Sequence, residues 1–202
     1  MERAVILTRF EHDLESLIGR SSSLRPFVCD GSPLGASVFI VGINPATSME
    51  ANFWSFWRPG VGFDKRSWFE AYKRHRAQEP LKPSRTRRNA VSSTRRILDL
   101  VVEAAKPVRC LETNLFGVAS SAAAELPVTS QSTGFFDFLL RTIQPELLVA
   151  HGSEAATYVK KHAPDIEVWP VSHFSRGWSF DDARTLGGRI AARSNGAKAV
   201  DE

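Results

Sequence analysis

Apolar residues along the chain fall into short runs, separated by stretches in which they recur at helical spacing. Four short segments have the length and composition of buried strands, and they cover residues 37–41, 108–113, 147–150 and 166–171. Apolar residues at intervals of three or four predict helices over 4–19, 67–77 and 86–105, and two more beginning near Gly134 and Ser153. Ser179 and Asp182 have capping-box spacing and predict a last helix that ends near residue 193.

This alternation of strands and helices predicts an α/β sandwich with a mostly parallel sheet. The chain of 202 residues has the length of one domain, which we place over residues 1–193, followed by a flexible polar tail over 194–202. In a sheet of this kind, ligands bind beyond the carboxyl ends of the strands. The residues that follow each strand are therefore the first candidates for function.

Composition narrows the class of protein further. Hydrophobic residues make up 43% of the chain and charged residues 24%, which is typical of a globular domain. No apolar run approaches the roughly 18 residues of a membrane span, and the first residues resemble neither a secretory signal nor a transit peptide. Cys29 and Cys110 alone supply no disulfide framework or four-thiolate metal site. We expect a monomeric cytoplasmic protein that requires no metal and no cofactor.

Positive charge is concentrated in one segment, although the net charge is only +4. Residues 65–96 contain eleven Lys and Arg residues and two acids, and aromatic residues are interleaved from Trp54 to Tyr72. Basic side chains attract phosphates and aromatic rings can stack on bases, so a nucleic-acid partner is one interpretation. A solvated helix face above a buried apolar stripe is the other.

Three polar residues follow predicted strands and are expected to meet at one edge of the sheet. Asn44 lies in the turn Gly42-Ile43-Asn44-Pro45 after the first strand, and Asn114 follows the second. His173 lies in the loop after the fourth strand. An isolated Asn-Pro turn or histidine is usually structural, but agreement among three strand ends favours a shared site.

The ordered set of motifs resembles the uracil-DNA glycosylase superfamily. Gly42-Ile43-Asn44-Pro45 is similar to the first motif of its mismatch-specific branch, Thr113-Asn114 to its second strand end, and His173-Phe174-Ser175 to its second motif. The resemblance implies a three-layer α/β/α sandwich around a central four-stranded parallel sheet. It also implies a monofunctional DNA repair enzyme that flips uracil out of DNA and hydrolyses its N-glycosidic bond, leaving an abasic site.

The same resemblance suggests roles for individual residues. Asn44 would hold the attacking water, and His173 would donate a hydrogen bond to the developing uracil anion. Asn114 would read the edge of the base, beside Gly42 and Ile43 of the substrate pocket. Phe56 would stack on the flipped base, with Phe53 as the alternative; packing in the core is the competing interpretation for both rings.

The loop after the fourth strand is expected to contact DNA. Ser172 and Ser175 would bind phosphate, and Arg176 would hold either phosphate or the base left unpaired. Trp178 would either fill the vacated base stack or staple the loop to the last helix. Two residues depart from the family pattern. Phe174 replaces the usual proline of the second motif, and Ala46 replaces the residue that decides whether thymine is excluded, so excision of thymine from a mismatch stays open.

Two other functions remain as alternatives. One is a non-catalytic nucleic-acid-binding protein of the same fold, which the basic segment and Phe174 favour. The other is an α/β enzyme that acts on a small nucleotide and binds its phosphates through arginines. The second is weakened because the sequence contains neither GxxxxGK[ST] nor GxGxxG.

Overall fold

The computed structural model describes residues 2–21, 23–47, 49, 51–81, 86–120 and 126–198. The helices found in this part of the chain are α1 (Glu2–Ile18), α2 (Lys65–Gln78), α3 (Ser93–Ala104), α4 (Gly134–Ile143), α5 (Ser153–His162) and α6 (Phe180–Lys198). The strands are β1 (Phe27–Val28), β2 (Val38–Gly42), β3 (Trp57–Arg58), β4 (Gly62–Phe63), β5 (Cys110–Asn114), β6 (Leu147–His151) and β7 (Glu167–Val171). None of these helices is long and apolar enough to cross a membrane.

The main sheet has five strands in the order β1-β5-β2-β6-β7, flanked by helices. β5, β2, β6 and β7 are parallel to one another and correspond to the four predicted strands. The expected four-stranded parallel sheet is nevertheless wrong, because β1 adds a fifth strand that is antiparallel to β5. A strand of two residues is too short for alternation to reveal, and it is held here by Thr113 Oγ1, which donates to the carbonyl oxygen of Pro26 at 2.6 Å.

Helices cover both faces of the sheet, which explains why its central strands are apolar throughout. All five residues of β2 are buried. Val38 and Ile40 pack in one cluster with residues of α3 and α6, whereas Phe39 and Val41 pack in another with residues of α1, α4 and α5. Because both faces of β2 are buried, its sequence is a continuous apolar run and does not alternate between apolar and polar residues.

Capping side chains set the ends of two helices. Ser92 accepts a hydrogen bond from the backbone N–H of Arg95, so α3 begins at Ser93 and not at residue 86 as predicted. The predicted capping box is confirmed: Ser179 N–H donates to the carboxylate of Asp182, and Asp182 N–H donates to Ser179 Oγ. α6 continues past the predicted end at 193 to Lys198, and residues 199–202 of the predicted tail lie outside the described residues.

Two adjacent glycines of α6 offer a direct test of the packing between α3 and α6. A Cβ on Gly187 would overlap the carbonyl oxygen of Val101 and lie 2.6 Å from Cβ of Ala104, whereas one on Gly188 would meet nothing. We expect Gly187→Ala to lower the free energy of unfolding by about 1–3 kcal/mol, because α3 must move. Gly188→Ala should raise it by about 0.5–1 kcal/mol, because alanine favours the helix. Urea denaturation of both variants checks the pair, and equal effects would contradict the close crossing.

Candidate functional site

Polar side chains from the two strands that flank β2 converge above Gly42. The parallel register places Gly42 opposite Asn114, and β6 lies on the other side of β2. A Cβ added to Gly42 would lie 2.6 Å from Asn114 Oδ1 and 2.7 Å from His151 Nε2. Both polar atoms therefore face the same point, and only glycine leaves room for them. The strand ends bring Asn114 next to the first motif, as the sequence predicts.

Asn44 is held by the loop that follows β5. The two loops run side by side, because Leu115 N–H and Phe116 N–H donate to the carbonyl oxygens of Gly42 and Ile43, each at 2.9 Å. Asn44 Nδ2 donates to Ser120 at its carbonyl oxygen (3.1 Å) and its Oγ (2.9 Å). These contacts commit the amide nitrogen and fix the rotamer. The side-chain oxygen Oδ1 is then the atom of Asn44 with which a water could be oriented.

His173 is held as a neutral ring with a defined tautomer. Its Nδ1 accepts from the backbone N–H of Ser175 at 3.2 Å and lies 2.7 Å from Ser175 Oγ. Burial and the nearby charge of Arg176 keep the pKa of His173 below its ordinary value, so the imidazole is neutral near pH 7. Because Nδ1 accepts, the single ring proton is on Nε2. His173 thus presents one N–H donor at its outer nitrogen.

The sequence interpretation missed His151, which forms part of the same cluster. His151 ends β6, is 8% exposed, and lies edge-on to His173 with ring centroids 5.0 Å apart. Its Nδ1 has no hydrogen-bond partner among the described residues. Burial, with smaller contributions from His173 and Arg95, lowers the pKa of His151 to about 3, so this ring is neutral as well. Its place at a strand end, directly before Gly152, was the available signal.

Phe174 takes a definite role in this cluster. Its ring is 1% exposed and stacks on His151, with centroids 4.6 Å apart and planes inclined by 20°. A proline at this position would offer no comparable aromatic face. Phe174, which stands where the resembling motif has proline, therefore packs as a pair with the buried His151 at the end of β6.

Phe56 and Phe53 lie in an aromatic cluster beside the first-motif loop. Both are buried, Phe56 packs against Phe63 at 6.1 Å, and Phe53 stacks on Phe63 at 5.3 Å. They line a small cavity of about 20 Å³ next to Pro45, which has room for about one water. Stacking of a base on either ring would require this cavity to widen.

The residues expected to contact DNA lie on the loop between β7 and α6. Ser172, Ser175 and Arg176 are exposed, so their side chains are accessible to a large ligand. Trp178 is half-buried; its Nε1 donates to the carbonyl oxygen of Ser172 at 3.1 Å, and its ring packs edge-on against Phe174. Trp178 thus braces the loop in this structure, and filling a base stack would require it to leave these contacts.

The sequence matches no protein-family model and no curated protein. The assignment of a function therefore depends on the geometry of the strand-end residues and on the resemblance of their motifs.

Proposed function

We propose that the protein is a DNA glycosylase that hydrolyses the N-glycosidic bond of uracil in DNA and leaves an abasic site. The observation that carries the proposal is that Asn114 and His151 meet at Gly42 of the first motif, with the ring of His173 edge-on to His151 at the same edge of the sheet. The proposal includes the three-layer α/β/α arrangement of the resembling superfamily, with β1 as an additional edge strand. The main alternative is a nucleic-acid-binding protein of the same fold without catalysis.

The reaction needs a positioned water and a stabilised leaving group. Water attacks C1′ of the deoxyribose, and the bond from C1′ to N1 of uracil breaks. The electron pair of that bond leaves with the base as an anion, and the proton lost by the attacking water passes to solvent. Asn44 Oδ1 accepts a hydrogen bond from the water and orients it. His173 Nε2–H donates to the uracil oxygen on which negative charge develops, and a fixed donor of this kind is most effective in a site shielded from water.

Base selection is assigned to Asn114. Its side-chain amide makes no hydrogen bond with another described residue, so both its donor and its acceptor are free for a ligand. Uracil presents an N3–H donor beside a carbonyl acceptor, and one amide can pair with both. Cytosine presents the reverse pattern, an acceptor at N3 beside an amino donor, so the orientation of the Asn114 amide decides between the two bases.

Alkali-revealed strand scission tests the proposal. The substrates are labelled oligonucleotides with one uracil, offered as a single strand, as U:A and as U:G, with a T:G duplex alongside and no divalent metal. Wild type is expected to release uracil. Asn44→Ala should slow release by about 100-fold, because the water loses its orientation, while affinity for the same strand without uracil stays within about twofold.

Two results would overturn the proposal. One is the absence of scission on every uracil substrate by protein whose thermal unfolding is cooperative. The other is scission by Asn44→Ala at the wild-type rate. If the folded wild type binds DNA and never cleaves it, the non-catalytic alternative replaces the glycosylase.

A further inference from the structure

An arginine-lined cleft lies between α2 and the start of α3. Its volume is about 890 Å³, which is within the range of ligand-binding pockets. Five arginines reach it from three separate segments of the chain, and we name it the arginine cleft by these residues: Arg25, Arg76, Arg87, Arg88 and Arg95. Of the basic segment noted in the sequence, Lys82 and Arg85 lie outside the described residues.

Two of the five arginines are neutralised within the protein. Arg95 forms ion pairs with Asp99 and with the buried Glu112, and Arg88 pairs with Glu79. No acid partner is found in the described part of the chain for the other three, Arg25, Arg76 and Arg87. Guanidinium groups keep their charge under all ordinary conditions, so the cleft holds uncompensated positive charge.

Buried aromatic rings hold these arginines in place. Arg95 and Arg25 both lie over the ring of Trp68, at 4.9 Å and 5.8 Å, and Arg76 lies over Tyr72 at 5.8 Å. Trp68 and Tyr72 are stacked on each other and almost fully buried, so their faces are occupied by arginines and are closed to a base. The cleft thus presents guanidinium groups along its wall, an arrangement that suits an anionic ligand.

Arg25 gives the strongest sign that the cleft suits an anion. It is half-buried, and burial together with the neighbouring charge of Arg95 lowers its pKa to about 10. Arg76 adds a second sign, since its Nε is buried without a hydrogen-bond partner among the described residues. An oxyanion beside Arg25 and Arg76 would accept hydrogen bonds from both groups and would offset the repulsion between Arg25 and Arg95.

We propose that the arginine cleft binds the phosphate groups of a nucleotide, either free or within a DNA strand. Ala46 and Thr47 form part of its wall and follow Asn44 by two and three residues, so phosphates bound here lie beside the loop of the candidate site. Arginine offers planar paired donors that match phosphate oxygens. The proposal stands without the glycosylase reaction, because it concerns binding of phosphates and not cleavage.

Binding of a uracil-free DNA strand tests the cleft independently of excision. The probe is a fluorescein-labelled single strand of about 15 nucleotides, followed by anisotropy between about 50 and 200 mM salt. Arg25→Gln, Arg76→Gln and Arg87→Gln are each expected to weaken binding about tenfold and to reduce the salt slope by about one. Arg74→Gln is the matched control, since Arg74 lies on α2 like Arg76 but is exposed and does not line the cleft. This variant should weaken binding by less than about twofold.

Competition separates the two sources of phosphate. If dTMP and inorganic pyrophosphate displace the strand at micromolar concentration, the cleft binds a free nucleotide. If they do not displace it and the arginine variants still weaken binding, the cleft binds the DNA backbone. Equal weakening by Arg74→Gln and Arg76→Gln would overturn the proposal, because diffuse surface charge would then explain binding. Arg87 is exposed, so its variant keeps the test valid even if Arg25→Gln or Arg76→Gln unfolds.

Discussion

Glu112→Gln is expected to lower the free energy of unfolding by about 3 kcal/mol or more, which is more than 100-fold in the folding equilibrium. Glu112 lies in the middle of β5, is 5% exposed, and bridges Lys65 of α2 and Arg95 of α3. Neutral glutamine would leave two cations facing one remaining acid, Asp99. Removing one partner from a buried ion pair costs far more than the pair contributes, because the other charge stays out of water.

The pH dependence gives this prediction a second measurement. Burial disfavours the charged form of Glu112, but Arg95 and Lys65 outweigh burial and hold its pKa below the ordinary value of 4.5. A carboxyl whose pKa is lower in the folded protein stabilises the fold above its unfolded pKa, and this stability is lost as the pH falls. Wild type and Glu112→Gln should therefore differ most near pH 7 in urea denaturation and approach each other below about pH 4.5.

Glu103→Gln is the matched control. Glu103 and Lys106 form an ion pair at the end of α3 with 70% and 66% of their side chains exposed. An exposed pair contributes little, so this variant should change the free energy of unfolding by less than about 0.5 kcal/mol. If Glu112→Gln lowered the free energy of unfolding by as little as Glu103→Gln does, Glu112 would not be a buried bridge between β5 and the two helices.

Glu112 also shows where sequence reasoning about charge reaches its limit. The count of basic residues over 65–96 is correct, but it does not reveal which charges are paired. Lys65 and Arg95 are neutralised by Asp99 of α3 and Glu112 of β5. Arg25 lies some forty residues before the segment, and it faces the cleft without an acid partner among the described residues. Pairing of this kind depends on tertiary contacts, and a linear charge pattern does not contain them.

The parallel core of the fold could be predicted because its strands are buried on both faces and therefore leave continuous apolar segments. β1 could not be predicted, since two residues carry no period. The hairpin of β3 and β4 escaped for the same reason. The start of α3 differs from the prediction because residues 86–92 are as compatible with a helix as with an irregular segment. Only the hydrogen bond from the backbone N–H of Arg95 to Ser92 decides between the two.

The candidate site was predictable to the extent that strand ends determine it. Gly42 and Asn114 lie in register because adjacent parallel strands end together. His151 was overlooked because it reads as the last residue of an apolar strand, and its burial against Phe174 depends on a loop twenty-three residues further along the chain. The burial of Phe56 follows from packing with Phe63, a contact that motif spacing does not show.

His173→Ala is expected to reduce kcat for uracil release by about 100- to 1,000-fold, the usual cost of removing one donor to a developing oxyanion. The proposed role acts mainly in the transition state, so affinity for a uracil-free strand should change by less than about twofold. Single-turnover scission and strand binding, measured on the same preparation, check the two numbers. Loss of binding with an unchanged rate of release would contradict this role.

The tautomer of His173 makes the prediction more specific. Ser175 holds Nδ1 through its backbone N–H and its hydroxyl, so Ser175→Ala removes one of two contacts and should slow release by only about fivefold. His173→Gln places an amide donor on the same backbone position and should recover part of the rate lost in His173→Ala. Because burial and Arg176 lower the pKa of His173, its ring is mostly neutral at pH 7 and above, and the wild-type rate should show no fall from this residue between about pH 7.5 and 8.5. A rate that required the charged imidazolium would fall tenfold per pH unit over that interval, and this profile would exclude the neutral donor.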